Sequence, residues 1–288
     1  MAELSALNTD WIPRVAVAIR GYYDKSGELA EGRVTLAGYA APLSVWTGFE
    51  KRWLDVLANA PIQPCRYLHM VKAMHLSDGF QDWSRSRVAA LLREFFNRCF
   101  SPDGWGEGEE ALSGVHCTIE RSDYDRACQV LPHLRQKGWA AVCADYVAYV
   151  ALTLLPQDPD KSEGHRKGTV ELYFDRDEPF QKEIESAWNK ALNRPSGRRG
   201  PLSMVSHIGA VEMKKTPAVQ AADYLAWHVN RWYTRGCRRS NFMAVLAAQG
   251  VGDRFGYDKL VDWYRDGPDP LHLMPTPPVD PPPSKASG

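Results

Sequence analysis

Three carboxylates stand where chemistry would need them. Asp24 closes the segment RVAVAIRGYYD, Asp175 closes TVELYFD, and Asp223 lies within TPAVQAADYLAWHVNRWYTR. The first two end strand-like runs. The third sits on the margin of a helical apolar stripe, with Gln220 and Trp227 beside it. Strand-end acids on neighbouring strands, faced by an acid from a packed helix, can come within reach of one metal ion. An all-oxygen set suits Mg2+ or Mn2+, which keep positions open for water and phosphate. Two such ions about 3.5–4 Å apart are the usual device for in-line attack on a phosphodiester. The candidate metal ligands are therefore Asp24, Asp175 and Asp223. Gln220 is placed to orient a ligand or water, and His69, in RYLHM, to assist proton transfer.

Each residue also has a plainer reading. Asp24 before Lys25-Ser26-Gly27 suits a turn in which its side chain holds its own backbone. Asp175 precedes Asp177 and Glu178, acids that favour the first turn of a helix. Asp223 is harder to explain, because mid-helix Asp has poor propensity and an apolar margin adds desolvation. Its alternative is a buried ion pair with Lys214 or Lys215. For His69 a satisfied core histidine is the more common outcome, and His228 falls on the polar, solvated face of its helix. His116 has no partner at metal spacing. The sequence contains no Gly-rich phosphate loop, GxSxG or HExxH, so neither nucleoside triphosphate hydrolysis nor serine-hydrolase chemistry is supported.

The elements that must position these residues follow from periodicity. Arg14–Tyr23 and Arg33–Ala41 alternate as strands, joined by a connection longer than a two-residue turn. Ser44–Ala58 and Asp82–Phe100 have helical spacing, with a short strand expected over Arg66–Met70 between them. Gly114–Glu120 reads as a strand, and Asp123–Arg135 and Gly138–Leu155 as helices. Thr169–Asp175 is the clearest strand, followed by a helix over Glu178–Asn193 and a strand over Leu202–Glu212. The helix Thr216–Arg235 starts on an N-cap threonine with proline at its first position. Its stripe is Val219, Ala222, Leu225, Ala226, Val229 and Trp232. Short helices are expected over Phe242–Ala248 and Tyr257–Tyr264. Ser101–Ala111 and Pro156–Gly168 read as surface loops.

Strands alternating with helices argue a layered α/β or α+β domain, and the adjacent opening strands favour a mixed sheet. Residues 1–13 read as a lead-in, 14–266 as one domain, and 267–288, with PTPPVDPPP, as a disordered, partly polyproline tail. The 288 residues carry 35 basic and 35 acidic side chains, so no global field points to nucleic acid or membrane. Local basic clusters survive that balance: Arg194, Arg198 and Arg199 in a Pro/Gly loop, and Arg235, Arg238 and Arg239 at the far end of the late helix. Six scattered cysteines without metal spacing read as reduced thiols. With no signal peptide and no run approaching a membrane span, the expectation is a cytoplasmic protein.

At its acids the chain resembles a bacterial family known as domain of unknown function 3800. That family's features appear here as Asp24-Lys25-Ser26-Gly27, Tyr173-Phe174-Asp175 and Gln220-Ala221-Ala222-Asp223-Tyr224-Leu225, in order over residues 14–235. His69-Met70 after a tyrosine, with Trp46 and Trp53 before it, adds to the likeness. The resemblance implies an α/β, ribonuclease H-like fold: a mixed β-sheet flanked by α-helices, with acids on the first strand, a central strand and a late helix. It further implies a Mg2+- or Mn2+-dependent nuclease, whose nucleic-acid backbone contacts would come from the six arginines above. One departure stands out. Lys25 replaces the family's Glu, either as a phosphate ligand or as a cation in the metal's place. In the second case the chain would be a non-catalytic ribonuclease H-like module binding nucleic acid or a protein partner.

Overall fold

The structure is a computed structural model describing residues 17–101, 112–156, 167–176, 179–194, 200–235 and 250–266. Among these, six strands form one mixed sheet in the order β5-β4-β1-β2-β3-β6. They are β1 Ala18–Ser26, β2 Arg33–Pro42, β3 Ser113–Glu120, β4 Thr169–Asp175, β5 His207–Val211 and β6 Gly250–Phe255. β1, β2 and β3 are an antiparallel meander, β4 and β5 add in parallel beyond β1, and β6 pairs in parallel with β3. The helices are α1 Leu43–Ala58, α2 Met70–His75, α3 Arg85–Phe95, α4 Arg121–Val130, α5 Pro132–Lys137, α6 Trp139–Thr153, α7 Pro179–Leu192, α8 Pro217–Arg235 and α9 Tyr257–Asp266.

Strand alternation divides the core into two layers, one on each face of the sheet. Tyr23, Leu36, Leu172 and Phe174 point to a layer built with α6, α7 and α9. Tyr22, Ala37 and Tyr39 point to a second layer built with α1, α3 and α8. This second layer is aromatic. Trp53 is fully buried, stacks on Phe95 at 4.0 Å and meets Phe49 and Phe100. In α8, Val219, Ala222, Leu225, Ala226 and Val229 are fully buried as the stripe requires, whereas Trp232 is 36% exposed.

Several boundaries differ from expectation, each for a physical reason. β1 does not end at Tyr23: Asp24, Lys25 and Ser26 stay in register with Ala37, Leu36 and Thr35. The chain turns only at Gly27, whose φ of 77° suits glycine. Asp24 is thus a strand residue, and its turn reading fails. Arg66–Met70 is no strand, because side chains of α8 take its N–H groups. The helix expected over Asp123–Arg135 breaks at Pro132 into α4 and α5. The last turn expected of α3 widens into a π-turn over Phe96–Phe100. β5 is shorter than Leu202–Glu212, its lead-in being a 3-10 turn over Pro201–Met204. β6 carries no alternation that sequence reading detected. The lead-in, the Phe242–Ala248 helix, the proline-rich tail and most of the two surface loops lie outside the described residues. Cys65, Cys99, Cys117, Cys128 and Cys143 are free thiols, and among the described residues no helix is long and apolar enough to cross a membrane.

The β1–β2 contact leaves no room at Gly38, where a Cβ would lie 1.8 Å from the Tyr22 carbonyl oxygen. Backbone cannot yield as a flexible side chain can. Gly38→Ala should therefore cost about 3 kcal/mol or more. A urea melt within 0.5 kcal/mol of wild type, to order of magnitude, would contradict this packing.

Candidate functional site

The sheet register brings two of the acids together. β1 and β4 pair in parallel through Arg20↔Glu171, Tyr22↔Tyr173 and Tyr23↔Phe174. On the α8 face, Arg20 donates to Glu171 at 2.7 Å and Tyr22 stacks on Tyr173 at 5.2 Å. The next pair on that face is Asp24 beside Asp175, one position beyond the last register partner. Neighbouring strands lie about 4.8 Å apart, and both carboxylates are buried, at 4% and 6% exposure. The pair sits at the C-terminal ends of β1 and β4. From there β1 turns back into β2, while β4 leaves the other way through α7 to β5. In open α/β sheets, ligands bind outside the C-terminal strand ends where neighbouring connections diverge in this way.

The third acid arrives from α8 and is held differently. Asp223 Oδ2 accepts the Met70 N–H at 2.6 Å and lies 3.5 Å from His69 Nδ1. One turn earlier, Gln220 Oε1 accepts from Trp53 Nε1 at 2.9 Å and from the Leu68 N–H at 3.0 Å. Gln220 Nε2 donates to the Met213 carbonyl at 2.9 Å. Met213 in turn donates its N–H to Asp175 Oδ1 at 3.3 Å. Gln220 and Asp223 thus grip alternate N–H groups of the extended segment before α2. This is the physical content of Gln-x-x-Asp, and it replaces the expected ion pair to Lys214 or Lys215 as the answer to the desolvation of Asp223.

Among the described residues, no group of three or more His, Cys, Asp or Glu side chains gathers as a metal site. The candidate donor set is the Asp24–Asp175 pair, with Asp223 bonded to the Met70 N–H. Gln220 is 1% exposed and its amide is engaged on both ends, so it does not orient a ligand or water. Two carboxylates still fit Mg2+, which commonly takes one or two and completes its shell with water and phosphate.

The remaining candidates divide. Lys25 pairs in register with Leu36 of the opposite layer and forms an ion pair with Glu28. Strand alternation directs its side chain to the far face from Asp24, away from a metal held between Asp24 and Asp175. Arg194 is exposed at the end of α7, also on that far face. Arg235 ends α8, about 18 Å along the axis from Asp223. Arg198, Arg199, Arg238 and Arg239 lie outside the described residues. His69 is part-exposed. Burial, with Lys72 nearby, pulls its imidazole down to about 4 against the opposing pull of Asp78, so the ring is neutral at neutral pH.

Three cations adjoin the segments these acids hold; the sequence offered Lys214 only as an ion-pair partner of Asp223 and did not single out Arg176 or Lys72. Arg176 follows Asp175, Lys214 follows Met213, and Lys72 is two residues beyond Met70. Knowing where the acids are bonded would have found them; a search for arginine clusters could not. His228 was misread too, being half-buried against Tyr224 at 4.6 Å and Trp227 at 5.0 Å. No protein-family model, curated protein or solved structure matches this chain.

Two predictions follow from these contacts. Gln220→Met keeps the volume but strands two buried donors and an acceptor, and should cost roughly 2–4 kcal/mol in a urea melt. A cost indistinguishable from zero would remove the clamp. Burial, reinforced by Arg231, pulls His228 down to about 4. The ordinary value in an unfolded chain is about 6.5. The neutral ring's stabilisation is therefore complete above about pH 6.5 and is lost as pH falls toward 4. Thermal melts should show that acid loss flattened in His228→Gln; superimposable pH profiles would refute it.

Proposed function

We propose that this chain is a divalent-metal-dependent phosphodiesterase of the ribonuclease H-like type, acting on nucleic acid. The observation that carries the reading is the continuation of the β1–β4 register, which sets Asp24 beside Asp175 at the C-terminal ends of the two strands. Also in support are the mixed sheet with helices on both faces and the approach of a late-helix acid from one side.

Asp24 and Asp175 would hold Mg2+ or Mn2+. When bound, such an ion supplies positive charge to a phosphoryl oxygen and lowers the pKa of water. Asp223 acts through His69. Asp223 Oδ2 lies 3.5 Å from Nδ1 without a hydrogen bond to it; its charge there favours the tautomer with the proton on Nδ1 and leaves Nε2 to accept one. Because the ring is neutral at neutral pH, it is in the form that a general base requires. Gln220 acts one step further out, fixing the backbone of residues 68–70 that carries the imidazole.

A second reading is a non-catalytic ribonuclease H-like module binding nucleic acid or a protein partner. It is favoured by the N–H groups that engage Asp175 and Asp223 and by the lack of a three-ligand group among the described residues. In that reading the acids are anchors for Met213 and Met70, with no catalytic part.

Cleavage of end-labelled single- and double-stranded DNA and RNA, with Mg2+ or Mn2+, separates the two. Under the first reading, wild type cleaves, Asp24→Asn and Asp175→Asn lose at least about a hundredfold, and His69→Gln loses roughly ten- to a thousandfold. No cleavage by a folded wild-type protein, or cleavage indifferent to both Asp→Asn changes, would overturn it.

A further inference from the structure

A buried acid pair repels phosphate, so a nucleic-acid strand can approach it only where cations line the approach. The structure supplies such a rim around Tyr67. Tyr67 immediately precedes Leu68 and His69, the residues that Gln220 and Asp223 hold. Lys72 Nζ lies 5.8 Å and Lys214 Nζ 5.6 Å from the centre of its ring. Lys72 also donates to the Tyr67 hydroxyl at 3.3 Å and pairs with Asp78. Lys215 pairs with Glu212 at 2.6 Å, and so does Arg176 at 3.0 Å. Lys214 is exposed and has no acid within 4.0 Å among the described residues. Among the described residues, these four cations make ion pairs with two carboxylates, Asp78 and Glu212, so cations outnumber acids on this exposed rim.

We infer that Lys72, Lys214 and Lys215, with Arg176, form the docking surface for the phosphodiester backbone of a nucleic acid approaching the Asp24–Asp175 pair. This rests on the proposed function for the strand's destination, but its own evidence is the geometry around Tyr67. The chain order explains the siting. Lys214 and Lys215 occupy the short 3-10 turn between β5 and α8, and Met213, the first residue of that turn, is fixed by Asp175 and Gln220. Lys72 lies in the first turn of α2, whose leading N–H is fixed by Asp223. The contacts that hold the acids thus also hold the cations at their rim. This surface takes the place of the arginine clusters as the phosphate-binding element.

The test is fluorescence anisotropy of short labelled single strands and duplexes of DNA and RNA, titrated with the full chain in EDTA from low to physiological KCl. Lys72→Gln/Lys214→Gln/Lys215→Gln should weaken binding by at least about tenfold and flatten the log–log salt slope by about 2 for single strands. Lys182→Gln/Lys190→Gln, exposed on α7 across the sheet, should bind as wild type. Circular dichroism and thermal melting establish that the triple variant is folded. Lys214→Glu alone, at an exposed and unpaired site, gives the same direction of loss without disturbing an ion pair. Wild-type affinity and slope in both variants, or no salt-sensitive binding by wild type, overturns the inference. Cleavage that depends on Asp24 alongside unchanged binding in the lysine variants would refute this surface and leave the catalytic reading. Binding lost in those variants, with no cleavage by wild type, would do the reverse.

Discussion

The structure depends on one clamp. Gln220 and Asp223, a turn apart on α8, accept the N–H groups of Leu68 and Met70, two residues apart on an extended segment. A helix side chain seldom substitutes for a β-partner, and here it does so twice. The alternative would leave two backbone donors buried and unmet, at a cost comparable to a lost hydrogen bond each. The same glutamine receives Trp53, a fully buried tryptophan of the aromatic layer, which needs an acceptor for its indole N–H once buried. It also donates to Met213, whose N–H reaches Asp175. α1, the segment before α2, the turn before α8 and the end of β4 are therefore bound through one amide and its neighbours.

This constraint fixes what the acids can do. Asp24 and Asp175 are neighbours because of sheet register, which every ladder hydrogen bond of β1 and β4 enforces. Asp223 is placed by the clamp and accepts from the Met70 N–H, with His69 Nδ1 3.5 Å away. The acids thus have unlike origins and unlike tasks: a pair set by the sheet, and a single carboxylate set by a helix.

Much of this architecture was legible in the sequence. The helices α1, α7 and α8 follow from periodicity because each buries one regular face, and the strands β2, β3 and β4 stand out as short apolar runs covered on both faces of the sheet. The mixed character of the sheet followed from the adjacency of β1 and β2. What failed were places where tertiary contacts override local pattern. Arg66–Met70 alternates like a strand, yet its partners are side chains on α8. Asp24 precedes Lys-Ser-Gly like a turn residue, yet pairing with β2 carries the strand on to Ser26. Lys25 looked adjacent to the acid site in sequence and is on the opposite face, since neighbouring strand residues always are. The identities of Asp24, Asp175, Asp223 and Gln220 were visible, but their roles were not. Gln220's engagement is set by Trp53, 167 residues away.

The central claim is that the Asp24–Asp175 pair holds a divalent cation. Anomalous scattering from crystals soaked in Mn2+ tests it most directly, since it locates the ion without requiring turnover. The account predicts a Mn2+ peak between Asp24 and Asp175 in wild type, absent in Asp24→Asn/Asp175→Asn and present in Asp223→Asn. Wild-type crystals with no peak at that pair, or a peak surviving loss of both carboxylates, would contradict it.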